Sequence, residues 1–198
     1  MPFGKEPQFF GKIEQKEEFG QMVEREIVVP YLKREFARIF SNSVHASEKG
    51  DKKWKTDEVV QFGKDHSFMG IQSVIWEGFD PETLGRKIKK DLRDIPWVTM
   101  EQVYPDPASL PLSKRQELMP KVFINFPIEL VEEADSKFKS SNQKGKMIDY
   151  LPKKEWLPKE ILNQMIKGLG LQLEWFPEKK RYISPKIEIL TQELKLRG

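Results

Sequence analysis

EEFGQMVEREIVVPYLKREFARIF, Glu17 to Phe40, carries the clearest helical period in the chain. Phe19, Val23 and Ile27 recur every four residues, and Leu32, Phe36 and Phe40 resume the stripe beyond Pro30. On a helix these residues share one face, flanked by Glu24, Arg25, Glu26, Lys33, Arg34 and Arg38. Pro30 removes a backbone donor and crowds the carbonyl four residues earlier, so the stretch predicts a kinked helix or two helices meeting near Val29.

A stripe of that length needs partners to cover it. Three downstream segments offer helical spacing: Asp57 to Gly63, Ser67 to Trp76 and Pro81 to Asp94. The third is the best marked, with Asp80 as N-cap, Pro81 at the first helical position and Leu84, Ile88 and Leu92 every fourth residue. Ser41 to Lys55 is polar and reads as a loop. Residues 17–95 are therefore expected to form a small helical bundle, preceded by an extended arm, residues 1–16, that carries Phe3, Phe9 and Phe10.

Beyond Pro96 the period changes. Val98, Met100 and Tyr104 alternate with polar residues, and Lys121 to Phe126 has the same extended character. Pro105, Pro107, Pro111 and Pro120 favour an extended path, so residues 96–150 read as a proline-rich connection with a short helix. In residues 151–198, Pro158 opens a helix through Ile161, Leu162 and Met165 that Gly168 ends. Leu171, Leu173 and Trp175 then alternate and predict a β-hairpin with Arg181 to Ser184. The tail, 186–198, reads as strand or helix. The expected class is mostly α with a minor β component.

Composition sets the outer limits. Hydrophobic residues make up 38% of the 198 and charged residues 33%, against about 45–50% and about 25% in ordinary domains, which predicts a thin core. The absence of cysteine excludes disulfide scaffolds and thiolate sites. Thirty-four basic residues against 31 acidic ones leave a net charge of +3, too small for a dedicated nucleic-acid binder. No run is long and apolar enough for a membrane span, and the N-terminus lacks signal-peptide character. An intracellular setting is expected, with the mitochondrion among the compartments that fit.

No motif points to a reaction. His45 and His66 share no metal-ligand spacing. Asp65, His66 and Ser67 are adjacent, whereas triad members converge from separate segments. Gly168 and Gly170 follow a helix, the reverse of a phosphate-binding turn. Acidic pairs read as solvated faces. The sequence thus predicts no enzyme, no cofactor and no metal, and instead a structural or accessory subunit of a large assembly, with mitochondrial respiratory, ATP synthase and ribosomal complexes as natural hosts. Its partners would be other protein subunits, met by Phe3, Phe9, Phe10, Trp97 and Trp156. The alternative is a nucleic-acid contact module built on Lys153, Lys154, Lys159, Lys167, Lys179, Lys180 and Arg181.

Overall fold

The computed structural model describes residues 19–75 and 81–198. Helix α1 (residues 19–35) passes Pro30 without a break: a π-helical segment, Glu24–Val28, runs directly into α-helical Val29–Glu35. The wider π turn holds the carbonyl of Glu26, which a proline four residues later would crowd, so the expected kink is replaced by a local widening. The stripe is buried as its spacing demands. Val23, Ile27, Leu32 and Phe36 are wholly inaccessible, and Phe40 nearly so.

What the stripe covers is a β-sheet, which corrects the expected helical bundle to an α/β fold. The chain continues through β1 (Phe40–His45), α2 (Glu48–Trp54), β2 (Glu58–Phe62), β3 (Phe68–Ile75), α3 (Pro81–Asp94), β4 (Trp97–Thr99), α4 (Met100–Val103), α5 (Leu112–Arg115) and β5 (Leu118–Phe126). Helices α6 (Ile128–Ser140), α7 (Trp156–Trp175) and α8 (Lys180–Leu196) complete it. The strand order is β1-β2-β3-β5-β4. Neighbours pair antiparallel except β3 and β5, which run parallel across the α3 crossover. The segments read as helices at Asp57 to Gly63 and Ser67 to Trp76 are β2 and β3, and the loop read at Ser41 to Lys55 contains β1 and α2.

The reason is burial on both faces. Val60, Phe62, Met69, Ile71, Val122, Ile124 and Phe126 join the main core, while Val59, Phe68 and Met119 join a second cluster with Val98, Met100 and Val103. Strands covered on both sides lose the polar half of their alternation, and short apolar runs then fit a helical period equally well. Gly70 is needed within β3 because an added Cβ would stand 3.2 Å from Thr56 Cγ2 and 3.6 Å from the Lys121 stem.

The expected C-terminal hairpin is absent from the described residues. Leu171, Leu173 and Trp175 belong to the last turns of α7, Arg181 to Ser184 to the start of α8, and the tail is helical. Gly168, read as a terminator, lies inside α7, where its bare Cα lets Val122 of β5 approach; an added Cβ would sit 3.5 Å from that side chain. Beyond Pro120 the outer edge of β5 has no strand beside it, since β4 pairs only through Thr99, Val98 and Trp97. Helix α7 covers that edge with polar side chains: Gln164 accepts from the Asn125 N–H at 2.5 Å, and Gln172 donates to the Lys121 carbonyl. An open strand edge is thereby satisfied without another strand.

Candidate functional site

At one end of the sheet, two adjoining clefts of about 320 and 460 Å³ share Gln21, Glu24, Asp51 and Lys52. The smaller also takes in His45 and Asp57, and the larger Lys55, Gln72 and Asp91. Four elements supply these side chains. Glu24 starts the π segment of α1, Asp51 lies on α2, Asp57 immediately precedes β2, and Gln72 lies in β3. Asp57 is fixed by its neighbour strand: its Oδ2 accepts from the Ser73 N–H at 2.6 Å and from the Ser73 hydroxyl at 3.1 Å. Gln72 Oε1 is buried and has no hydrogen-bond partner. A buried carbonyl oxygen left unpaired costs about 1–3 kcal/mol, so this one invites a donor or a cation.

The carboxylates repel one another in a dry setting. Burial, then Asp57 and Asp51, push Glu24 up to about 8. Burial pushes Asp57 up to about 7, against the pull of its Ser73 hydrogen bonds and of Lys121. Glu58, the first residue of β2, points into the main core beside Ser43, and burial followed by Asp57 and Glu24 raises it well above the carboxylate range. Lys121, buried on β5, donates to the Trp54 carbonyl at 3.1 Å; burial lowers its amine to about 8, with Asp91 and Asp57 pulling the other way. His45 is held low by burial first, then by Lys33 and Arg25, and is a neutral imidazole at pH 7.

Crowded acids of raised pKa beside an unpaired amide oxygen are the arrangement that a divalent cation relieves, because its charge reverses the local electrostatics. Among the described residues, no three His, Cys, Asp or Glu side chains stand where they could hold a metal by themselves. A cation at these clefts would need waters or substrate oxygens for the rest of its shell, as Mg²⁺ commonly takes. Lys55, on the rim, holds a left-handed backbone (φ 48, ψ 53) and pairs with Asp91 at 3.4 Å.

The residues singled out from sequence fall elsewhere. Phe3, Phe9 and Phe10 lie outside the described residues. Trp97 is half-buried against the main core, its ring T-shaped to Tyr182 at 6.4 Å, which makes it a packing residue; Trp156 is 49% exposed. Lys153, Lys154 and Lys159 line one cleft near the start of α7, Lys167 lines another, and Lys179, Lys180 and Arg181 sit at the turn into α8. Twenty helical residues, about 30 Å, separate the two ends of α7, so the basic set is divided. Among the described residues no helix is long and apolar enough to cross a membrane.

Glu24, Asp57, Gln72 and Lys121 escaped the sequence reading because each has an ordinary role locally: a charged flank, an N-cap, a polar position in the segment read as a helix from Ser67 to Trp76, and the first residue of an extended run. The one legible signal was Asp57-Glu58 set directly against Val59-Val60, two acids entering a buried strand. No protein-family model, no curated protein and no solved structure matches this chain.

Proposed function

We propose that the chain is a Mg²⁺-dependent phosphodiesterase acting on nucleic acid. The observation that carries this reading is that Glu24 lines both adjoining clefts, with Asp57 on one and Gln72 on the other, and that burial holds both carboxylates protonation-prone, helped by Asp51 at each and by Asp57 at Glu24. Glu24 and Asp57 would hold the cation, which when bound would supply the missing charge and lower the pKa of a bound water. Water attacks phosphorus, the bond to the leaving oxygen breaks, and that oxygen takes up a proton. The neutral His45 on the cleft wall is in the form that accepts the attacking water's proton. Lys52, paired with Glu48 at 2.8 Å, and Lys55, paired with Asp91 at 3.4 Å, line the clefts and would have to exchange those carboxylates for phosphate oxygens.

The accessory-subunit reading drew its motive from a thin core, high charge, proline-rich connections, aromatic-bearing arms and the lack of an active-site motif. A five-stranded sheet with buried clusters on both faces weakens the first of these, and the acid-lined clefts favour a reaction. The deciding assay incubates the protein with DNA and RNA, single- and double-stranded, in Mg²⁺ or Mn²⁺ and in chelator. Cleavage should require the cation and fall by about 100-fold or more in Asp57→Asn and Glu24→Gln, both of which should fold, since each removes a strained charge. Cleavage indifferent to chelator and to both variants, or no cleavage together with no calorimetric Mg²⁺ binding, would sink the proposal.

A further inference from the structure

We propose that a second cleft, at the other end of α1, is a grip for single-stranded nucleic acid. This cleft of about 470 Å³ is lined by Arg34, Lys153, Lys154, Lys159 and Arg197. Glu35 and Glu155 are the acids on its wall, and Glu35 is engaged by Arg34 at 3.3 Å. The excess positive charge is local: the whole chain carries only +3. Arg197 forms a fixed wall, stacked 5.1 Å from the Phe36 ring, bound to Glu193 at 2.8 Å and donating to the Glu35 carbonyl. Lys153 and Lys154, in contrast, are exposed, and neither side-chain amine makes a hydrogen bond or ion pair among the described residues.

Two residues further on stands Trp156, exposed over about half its surface at the head of α7. Exposed amines for phosphates and, at the cleft's margin, an exposed indole for a base are the two parts of a sequence-tolerant single-strand site. A duplex hides its bases from such a ring, so the occupant is an unpaired strand. Arg34 lies ten residues after Glu24 on α1, about 15 Å along the helix. A strand held here is therefore within a few nucleotides of the carboxylate clefts, although the grip itself needs neither the cation nor those carboxylates.

The test is fluorescence anisotropy with a labelled oligothymidylate of about a dozen nucleotides, run in chelator so that binding is read without cleavage. Combined Lys153→Ala and Lys154→Ala should weaken binding by about tenfold or more and flatten the plot of log affinity against log salt by about 1.4, two phosphates' worth. Trp156→Ala should weaken binding about tenfold or more while Trp156→Phe retains most of it, which separates stacking from a folding defect. Glu24→Gln should bind like the parent, so that failure of the grip and failure of the cation site are told apart. Unchanged affinity and slope in the double lysine variant would overturn the proposal. So would tighter binding of duplex than of single strand, a larger loss on replacing Lys179, Lys180 and Arg181, or lysine-dependent binding of anionic vesicles without binding of the oligonucleotide.

Discussion

Glu58 shows at single-residue scale what the fold tolerates. It is fully buried, and among the described residues its Oε2 meets the Ser43 hydroxyl at 3.4 Å while its Oε1 has no hydrogen-bond partner. It faces the main core beneath α1 and lines neither carboxylate cleft, so its charge is a cost that the cation proposal does not require. Neutral replacement removes the cost of burying that charge. Glu58→Gln keeps the shape and removes the ionisable proton. It should raise stability at about pH 8, where the parent must keep a proton or bury a charge, and change little at about pH 5. Chemical denaturation at both pH values checks this; a loss of stability at the higher pH would mean that the ionised carboxylate is itself part of the cation site. Phe36 marks the opposite case, a residue whose role was fully legible. Its place in the stripe predicted burial, and it is wholly inaccessible, T-shaped to Tyr31 and Phe40 at 6.3 and 5.9 Å.

At the scale of elements, legibility follows how many faces are covered. Helices α1 and α3 carry polar flanks beside their apolar stripes and could be placed from sequence, α1 in spite of its π segment. Strand β5 was placed in part, as Lys121 to Phe126, because Pro120 and Pro127 bracket it. Strands β2 and β3 were misread because both faces are buried, and α7 was cut short because Gly168 serves close packing against Val122 and not termination. Glycines inside helices therefore divide by what surrounds them, which yields a paired prediction. An added Cβ at Gly50 of α2 would stand 2.9 Å from Val103 Cα and 3.1 Å from the Val103 carbonyl, backbone of α4 that cannot swing aside. At Gly170 of α7 it would meet nothing within 4 Å. Gly50→Ala should destabilise by about 1–3 kcal/mol through overpacking, whereas Gly170→Ala should stabilise by about 0.5–1 kcal/mol through helix propensity. Urea midpoints of the two variants decide it, and equal shifts would mean that α2 and α4 are not held against each other. The carboxylate site belongs to this scale also. Its side chains come from α1, α2, the entry to β2, and β3, and no linear spacing encodes that meeting.

Over the whole molecule, Glu24, Asp57 and Glu58 tie folding to pH. All three are raised above their unfolded values, Glu24 to about 8 and Asp57 to about 7. Between the ordinary carboxylate range and those values the folded chain retains protons that the unfolded chain has released. Stability must then fall as pH rises through that window, since its slope follows protons bound in the unfolded state minus those bound in the native state. Lys121, lowered to about 8, acts in the opposite sense only above that pH, and His45, held below its ordinary value by burial, opposes the acids only up to about pH 6.5, so the stretch from there to about pH 8 reports the acids. A cation held by Glu24 and Asp57 competes with the same protons and should restore what deprotonation removes. In chelator, the melting temperature is expected to drop across this window. With Mg²⁺ at about ten times its dissociation constant, binding adds about 1.4 kcal/mol, or about 3–6 °C for a chain of this size. That gain should be present near pH 8 and nearly absent near pH 5.5. Asp57→Asn should abolish the Mg²⁺ gain and leave a shallower pH slope. A gain of equal size at both pH values would place the cation elsewhere on the surface, and a flat profile in chelator would mean that the three acids are solvated and the clefts carry no stored repulsion for a metal to relieve.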